Sequence, residues 1–228
     1  MSGEGKLVEL RVGDNQMRGY LAGVEEGTQS PGLILVHEWW GLTDHIRGIA
    51  DRFVSAGFVV LAPDLYNSKV AKDAEEAGRL MQGLDQQQAL ATLDAAVSFL
   101  KNQPGVRSDR IGVTGFCMGG SFALLLACHS QAIRASAPFY GDVPADDVLK
   151  QLSAPVLFIG AELDQWITVD KMERLREAMQ RYGKEGEVVI YPGANHAFFN
   201  DTRPEVYNRE AAEDAWRRVV GFLSEKLA

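Results

Sequence analysis

The feature that most constrains the fold is an alternation between short apolar runs and longer amphipathic segments along nearly the whole chain. Runs such as "GLILVHE" (32–38), "FVVLAPD" (58–64) and "APVLFIGAE" (154–162) are mostly apolar, as strands covered on both faces should be. Segments with helical spacing, such as 45–57 and 169–183, stand between such runs. Strands that alternate with helices form a mainly parallel sheet with right-handed crossovers and helices on both faces. The pattern therefore predicts an α/β protein.

Local signals predict several element boundaries. The segments "LVELRV" and "MRGYLAG" alternate and flank "GDNQ", which predicts an N-terminal hairpin. The helix over 45–57 is expected to stop at Gly57, a residue type that commonly follows a helix end. The long helical segment over 74–103 is expected to break near Gly83.

Length and charge limit the functions that the chain can have. A chain of 228 residues that is 46% hydrophobic can bury a full core, which predicts one domain over 1–228. Its net charge of −8 argues against binding to nucleic acid or to an anionic membrane surface. There is no apolar run of about 18 residues, and the N-terminus has neither a basic leader nor an apolar signal core. We therefore expect a cytoplasmic protein that does not contact membranes.

The chain has two cysteines, Cys117 and Cys128. Cys117 is expected at a strand end and Cys128 well along the next helix, so their Cα atoms should exceed the ~7 Å limit of a disulfide. We expect two free thiols, which suits a reducing compartment.

The best candidate nucleophile lies in "IGVTGFCMGGS" (111–121), where Cys117 stands between Gly115 and Gly119 as a strand gives way to a helix. Ligands bind at the carboxyl edge of such sheets, so the residues after each strand are the ones to examine. An abrupt strand-to-helix turn strains its central residue, and small neighbours relieve the crowding, as in the hydrolase motif G-x-S-x-G. The following helix N-terminus would stabilise a thiolate at Cys117. The alternative is an inert buried thiol.

A nucleophilic thiol needs a base, and the chain has four histidines. His196 lies in the loop after the last predicted strand, at the edge where the thiol is expected. His129 falls late in the helix after the thiol, and His45 lies near a helix start, so both are expected on the surface or in packing. His37, at the end of an early strand, remains a rival.

The base needs an acid to orient it, and "VLFIGAELDQWI" places Glu162 and Asp164 just past a strand. Asp164 lies further into the loop, where it can turn toward His196, and Glu162 is the alternative. The order nucleophile, acid, histidine is that of α/β-hydrolase chains. Because all three residues follow strands in this order, we favour a Cys117–His196–Asp164 triad over a simple capping role for Asp164.

These segments resemble the dienelactone hydrolase (carboxymethylenebutenolidase) family of the α/β-hydrolase fold, from about "LILVHEWWGL" to "HAFFND". The matching motifs are "HEWWG", "APDLY", "GFCMGG", "FYG", "AELD" and "GANHAF". The resemblance implies a mostly parallel central sheet of about eight strands with helices on both faces and no large lid domain. It implies a cysteine hydrolase that opens a small lactone or ester through a thioester acyl-enzyme, with Cys117 as nucleophile, His196 as base and Asp164 as its partner. It implies no cofactor and no metal.

The same resemblance suggests roles for residues that spacing alone does not single out. Glu38 matches the family's glutamate beside the cysteine, which governs when the thiol becomes a thiolate. The backbone N–H groups of Trp39 and Met118 fall where the family builds its oxyanion hole, whose donors stabilise charge in the transition state.

The chain departs from the family where members hold a substrate carboxylate with two arginines. Asn200 and Ala74 occupy those positions, with Arg203 and Arg79 a few residues away. We therefore expect the fold and the chemistry to carry over better than the preference for an anionic lactone.

Aromatic residues in the strand-end loops predict an apolar, aromatic-rimmed substrate pocket, with loop packing as their alternative role. They are Trp39, Trp40, Tyr140, Trp166 and Phe198.

Two other functions stay open: a general carboxylesterase or thioesterase on the same triad, and a non-catalytic ligand-binding protein on a hydrolase scaffold. The expected partner is a small-molecule ester or lactone, and the expected state is a monomer or weak dimer.

Overall fold

The computed structural model describes residues 5–25, 27 and 29–228. Within these residues the strands are β1 (Lys6–Val12), β2 (Asn15–Ala22), β3 (Ser30–Val36), β4 (Val59–Pro63), β5 (Val106–Phe116), β6 (Ile133–Phe139), β7 (Val156–Ala161) and β8 (Gly186–Tyr191). The helices are α1 (Asp44–Ser55), α2 (Ala74–Gln82), α3 (Gln86–Lys101), α4 (Met118–His129), α5 (Asp146–Leu149), α6 (Val169–Arg181) and α7 (Arg209–Lys226). The strands follow the order β1-β2-β4-β3-β5-β6-β7-β8 in one sheet. The predicted α/β class with about eight strands is confirmed.

The chain divides into two compact units, residues 1–112 and 113–228, and the boundary falls within β5. Each unit is described by itself below. The single domain over 1–228 stays a prediction.

The first unit begins with the predicted hairpin. Strands β1 and β2 pair antiparallel, with Leu10 opposite Met17, and the turn between them contains Gly13 at a φ of 57°. Strand β2 continues antiparallel to β4, and β3 lies parallel to β4 with Leu33 opposite Val60. Both Leu33 and Val60 are fully buried, and burial of such a side chain stabilises the fold by roughly 1.5–3 kcal/mol.

The helices of this unit begin and end at the signals that the sequence contains. The side chain of Thr43 caps α1, and α1 gives way to Gly57 at a φ of 98°, as predicted. The predicted break near Gly83 is also confirmed, since α2 stops at Gln82 and Asp85 accepts the N–H of Gln88 to cap α3. These boundaries rest on local hydrogen bonds, which is why the sequence reveals them.

In the second unit the strands β6, β7 and β8 pair in parallel, with Phe139 opposite Ile159. Their carboxyl ends therefore meet at one edge, and the loops that follow them lie side by side. Stacked and tilted rings of Phe116, Phe139 and Phe199, with centroids 4.5 to 5.1 Å apart, form the core beneath this edge. The short helix α5, four residues long, was not among the predicted elements.

The structure bears on the expectations that the chain does not contact membranes and that its cysteines are free. Among the described residues, no helix is both long and apolar enough to cross a membrane. The expectation that a leader is absent concerns, in part, residues 1–4, which lie outside the described residues. Cys117 is half-buried, Cys128 is buried, and both thiols are free.

Candidate active site

The turn from β5 into α4 has the strained geometry that the glycine-flanked cysteine predicts. Cys117 is the residue immediately before α4 and has a φ of 55° and a ψ of −118°. L-residues rarely adopt a positive φ, and such strain concentrates at functional sites. The N–H of Cys117 donates to the carbonyl oxygen of Phe139 at 3.1 Å, which ties the turn to the end of β6.

Two glycines allow α4 to start against the end of β6. A Cβ atom on Gly120 would lie 2.3 Å from the carbonyl oxygen of Phe139, and one on Gly141 would lie 2.2 Å from the carbonyl carbon of Gly120. The hydroxyl of Ser121 also accepts the N–H of Asp142 at 2.7 Å. Direct backbone contact between α4 and the β6 loop therefore fixes the position of the turn that carries the thiol.

The acid and the histidine of the predicted triad are in direct contact. His196 Nδ1 donates to Asp164 Oδ2 at 2.6 Å, and the Asp164 side chain is fully buried. The other oxygen, Asp164 Oδ1, accepts the N–H groups of Trp166 and Ile167, each at 2.9 Å. Three donors thus hold the carboxylate in one orientation, as a buried charge requires.

The electrostatic surroundings of His196 include both of the other triad members. Burial lowers the pKa of His196, but hydrogen bonds to Asp164 and Cys117, together with the charges of both, raise it to about 10. Because Nδ1 is engaged by Asp164, Nε2 is the ring nitrogen left to interact with the thiol. The second unit therefore contains a hydrogen-bonded chain of Cys117, His196 and Asp164.

The alternative acid, Glu162, has a different partner. Its Oε2 accepts the N–H of Gly193 at 2.8 Å, at an exposed position in the turn after β8. Glu162 therefore stabilises the turn that leads to His196, while Asp164 is the acid that contacts the ring.

The rival base, His37, is held in a structural role. It is fully buried, its Nε2 accepts the N–H of Leu65 at 3.1 Å, and its Nδ1 lies 2.6 Å from the carbonyl oxygen of Glu38. An amide N–H can only donate, so the ring proton of His37 must be on Nδ1. Burial lowers the pKa of His37 against the opposing effects of the Glu38 hydrogen bond and the Asp64 charge. His37 is therefore a neutral packing residue.

The other two histidines lie on helices. His129 is exposed at the end of α4, and His45 is half-buried in the first turn of α1. Neither position follows a strand.

The loop after β3 carries the residues assigned by resemblance. Glu38 is buried, and the rings of Trp39 and Trp40 meet nearly edge to face with centroids 5.1 Å apart. The carbonyl oxygen of Trp40 accepts the N–H of Ala71 at 2.9 Å, which fixes this loop on the segment after β4. Met118 is the first residue of α4, directly after Cys117. The roles of Glu38, Trp39 and Met118 in catalysis stay predictions.

Two of the predicted pocket residues contact the histidine directly. The ring centroids of Tyr140 and Trp166 lie 5.0 and 5.1 Å from that of His196. Trp166 is 68% exposed, whereas Tyr140 is buried at 1%. Phe198 is fully buried behind Tyr140, at 5.6 Å between centroids, and its contacts are those of a core residue. Which of these side chains touches substrate stays a prediction.

The positions expected to decide substrate charge already have partners. Asn200 Oδ1 accepts the N–H and the hydroxyl of Thr202, at 3.0 and 2.6 Å. Arg203 pairs with Glu205 at 2.8 Å, and Arg79 on α2 pairs with Glu75 at 2.5 Å. Asn200 is thus a turn-stabilising residue, and both nearby arginines are ion-paired.

Comparison with known proteins gives a consistent result. The chain matches the Dienelactone hydrolase family over residues 17–227. It is 36% identical to "Protein usf" of Aquifex pyrophilus, over 98% of this chain and 99% of that protein. It is 34% identical to the "Putative carboxymethylenebutenolidase" of Methylorubrum extorquens, over 96% of this chain and 80% of that protein. The crystal structure of a "Putative Dienelactone Hydrolase" from Klebsiella pneumoniae superimposes with a TM-score of 0.88 at 28% identity, covering 98% of this chain and all of that one.

Proposed function

Because this chain belongs to the dienelactone hydrolase family, we propose that it cleaves small carboxylic esters or lactones with Cys117 as the nucleophile. Family membership makes the chain a hydrolase acting on ester bonds, and the predicted α/β-hydrolase fold is confirmed by the structural match. The observation that carries the mechanism is the chain of hydrogen bonds from Cys117 through His196 to Asp164, which begins at a strained turn.

In the proposed first step, the Cys117 Sγ thiolate attacks the ester carbonyl carbon, and the electrons of the C=O double bond move onto the oxygen. Proton transfer from the thiol to His196 Nε2 generates the thiolate. When the tetrahedral intermediate collapses, the bond to the alcohol oxygen breaks, and that oxygen takes the proton from Nε2. The products are a thioester on Cys117 and an alcohol, which stays tethered to the acyl group in a lactone.

In the proposed second step, water attacks the thioester carbon and gives a proton to His196 Nε2. The C–S bond then breaks, and the sulfur leaves as a thiolate that can accept the proton again. The net reaction is ester plus water to acid plus alcohol. Asp164 acts through His196 in both steps, as a positioning residue that keeps the ring proton on Nδ1.

The loop after β3 supplies the remaining parts of the proposal. Glu38, which is buried, would influence when Cys117 ionises, as the family resemblance implies. The N–H groups of Trp39 and Met118 would bind the developing oxyanion. The position of Met118 at the start of α4 supports this, since the first N–H groups of a helix lack acceptors within the helix. No cofactor enters these steps.

The test compares the two cysteines. Iodoacetamide should label Cys117 first and abolish hydrolysis, and mass spectrometry after rapid acid quenching should find the acyl adduct of an aryl ester on Cys117. Cys128→Ala is the matched control, because burial raises the pKa of Cys128 to about 11 and keeps that thiol protonated at neutral pH. This variant should keep most of the activity. Inactivation that follows labelling of Cys128, or an active Cys117→Ala variant, would contradict the proposal.

Substrate class and cellular context complete the proposal. A panel of lactones, aryl esters and thioesters assayed with the wild-type protein separates a lactonase from a general carboxylesterase or thioesterase on the same triad. Hydrolysis of none of them, with retained ligand binding, would favour a non-catalytic binding protein. A cytoplasmic location and a monomeric or weakly dimeric state remain proposals drawn from the sequence.

A further inference from the structure

The loop after β7 exposes apolar surface beside the triad. Strongly exposed large hydrophobic side chains among the described residues are Leu7, Val70, Met81, Leu163 and Trp166. Leu163 and Trp166, 50% and 68% exposed, share one short loop and flank Asp164. Exposed apolar surface at a site mouth is typical of ligand contact, because it gains free energy only when something covers it. We refer to Leu163 and Trp166 as the apolar ledge.

The backbone under the ledge is rigidly held. The N–H of Trp166 donates to Asp164 Oδ1 at 2.9 Å, and the N–H of Leu163 donates to the carbonyl oxygen of Ala194 at 2.9 Å. Ile167, which follows, is buried and donates to the same carboxylate oxygen. A surface that is already ordered loses little conformational freedom when it binds a ligand. The ledge is thus a preformed surface.

The ledge lies beside the histidine that donates the leaving-group proton in the proposed reaction. The Trp166 ring contacts the His196 ring edge to face, with centroids 5.1 Å apart. In the proposed mechanism, His196 Nε2 gives its proton to the departing alcohol oxygen, so that oxygen must come within hydrogen-bonding distance of the ring. The substituent on the oxygen therefore leaves the site next to His196. The acyl group, bonded to Cys117, extends from the other side of the carbonyl carbon.

The ionisable side chains of the same loop are both acidic. They are Glu162, which is exposed, and Asp164, which is buried against His196. Both are acids, and residues 162–167 contain no lysine or arginine. A carboxylate on the alcohol part of a substrate would approach a loop whose ionisable side chains are acids, and like charges at close range repel.

We infer that the apolar ledge binds the alcohol part of the substrate and favours neutral, aromatic leaving groups. This inference rests on the proposed function, because it takes His196 as the proton donor to the leaving oxygen. It assigns Trp166 and Leu163 to leaving-group specificity.

The experiment uses acetate esters of methanol, phenol and 2-naphthol, which all give the same acetyl-enzyme. The measurement is kcat/KM, which reports the steps up to release of the alcohol. Trp166→Ala should lower kcat/KM for 2-naphthyl acetate by about tenfold, which is about 1.4 kcal/mol and lies within the range for an aromatic contact. The same variant should change the value for methyl acetate less than about twofold. Comparing variant with wild type for each ester cancels the intrinsic reactivity of the leaving group.

Further arms test the charge and the specificity of the effect. The wild type should disfavour 4-carboxyphenyl acetate relative to its neutral methyl ester, and Glu162→Gln should reduce that difference. Leu163→Ala should lower kcat/KM for 2-naphthyl acetate less than Trp166→Ala does. Leu7→Ala is the matched control, since Leu7 is a leucine of β1 with 59% exposure, and it should leave all the esters unaffected.

Three results would overturn the inference. An equal loss for all three acetates in Trp166→Ala would show that Trp166 acts through His196 and not on the leaving group. A loss that follows the acyl chain in a series of phenyl esters would place the ledge on the acyl side. A dimer that dissociates in Trp166→Ala would assign the ledge to a subunit interface. If the wild type hydrolyses no ester and forms no adduct on Cys117, it is the proposed function that fails.

Discussion

Replacing Asp164 by asparagine tests the triad with almost no change in side-chain shape. Asp164 Oδ1 accepts two backbone N–H groups, from Trp166 and Ile167, each at 2.9 Å. Only the carbonyl oxygen of an amide can accept these hydrogen bonds, so the amide NH₂ must face His196. An NH₂ group donates, so His196 Nδ1 must accept, and the ring proton moves to Nε2. Such a ring cannot take a proton from Cys117.

The size of the loss follows from this change of tautomer. In serine hydrolases the same substitution lowers turnover by about 10⁴-fold, or about 5.5 kcal/mol. A thiol ionises more readily than a hydroxyl, so part of the activity can survive without the base. We therefore expect Asp164→Asn to lower kcat by about 10² to 10⁴-fold. The variant should still fold, because both backbone hydrogen bonds are kept, and its free energy of unfolding should fall mainly through the loss of the charge pair with His196.

The assay is kcat for an aryl acetate, with circular dichroism and thermal melting as tests of folding. Glu162→Gln is the matched control in the same loop. Its amide oxygen can still accept the N–H of Gly193, which the carboxylate binds at 2.8 Å, so kcat for a neutral ester should stay within about twofold of wild type. A folded Asp164→Asn variant with more than a tenth of wild-type turnover would refute the reasoning. A larger loss in Glu162→Gln would identify Glu162 as the orienting acid.

Two further predictions concern stability. In the folded protein the pKa of His196 is raised from 6.5 to about 10. The protonated imidazole therefore contributes to the free energy of unfolding, fully below about pH 6.5, and this contribution is lost as the pH rises through 10. Between pH 6 and 10.5 the melting temperature should fall more steeply for the wild type than for Asp164→Asn. An equal fall in melting temperature for both proteins would contradict a stabilising ion pair between His196 and Asp164. Gly120→Ala should destabilise the protein by more than about 2 kcal/mol, because the new Cβ atom would lie 2.3 Å from the carbonyl oxygen of Phe139. Gly78→Ala on α2 is the matched control: its Cβ atom meets open space, and it should stabilise the protein by about 0.5–1 kcal/mol. Urea unfolding of both variants measures this, and similar effects at the two positions would contradict it.

The sequence predicts the fold best where the determining interactions are local. Gly57 and the break at Gly83 were visible because a helix end needs a positive φ or a cap within a few residues. Strand β5 begins at Val106, five residues before the apolar run that starts at Ile111, and residues 107–110 between them are polar and partly exposed. Hydrophobic pattern does not identify such a polar stretch as part of a strand. Helix α5 has only four residues, too few for a periodicity to be recognised.

The candidate site could be predicted as a set of positions but not as a set of contacts. Chain order and strand ends bring Cys117, Asp164 and His196 to one edge, which needs only the parallel topology. The choice of Asp164 over Glu162 depends on side-chain partners in other loops. The exclusion of His37 likewise depends on the N–H of Leu65, which is 28 residues away in sequence. Such distant donors leave no local signal.

The aromatic residues show the same limit. All five predicted pocket residues follow strands, and nothing in their spacing distinguishes a ring that faces solvent from one that faces the core. Phe198 is fully buried and Trp166 is 68% exposed, although both lie within two residues of a member of the predicted triad. Burial at a loop position is decided by the neighbouring loops, which come from other parts of the chain.

Backbone strain connects these observations. In residues 113–228, all of which the structure describes, the non-glycine residues at positive φ are Cys117, Tyr140 and Ala197, with values of 55°, 36° and 62°. Each such backbone conformation costs about 1–3 kcal/mol of folding free energy and is kept only where the surrounding structure imposes it. Glycine would relieve the strain, but at Cys117 and Tyr140 it would remove the thiol and the ring that contacts His196. Ala197 turns the chain directly after His196, so that Phe198 enters the core while the imidazole faces Asp164. The packing of the second unit therefore stabilises a strained arrangement in which thiol, imidazole and carboxylate are aligned before any substrate binds.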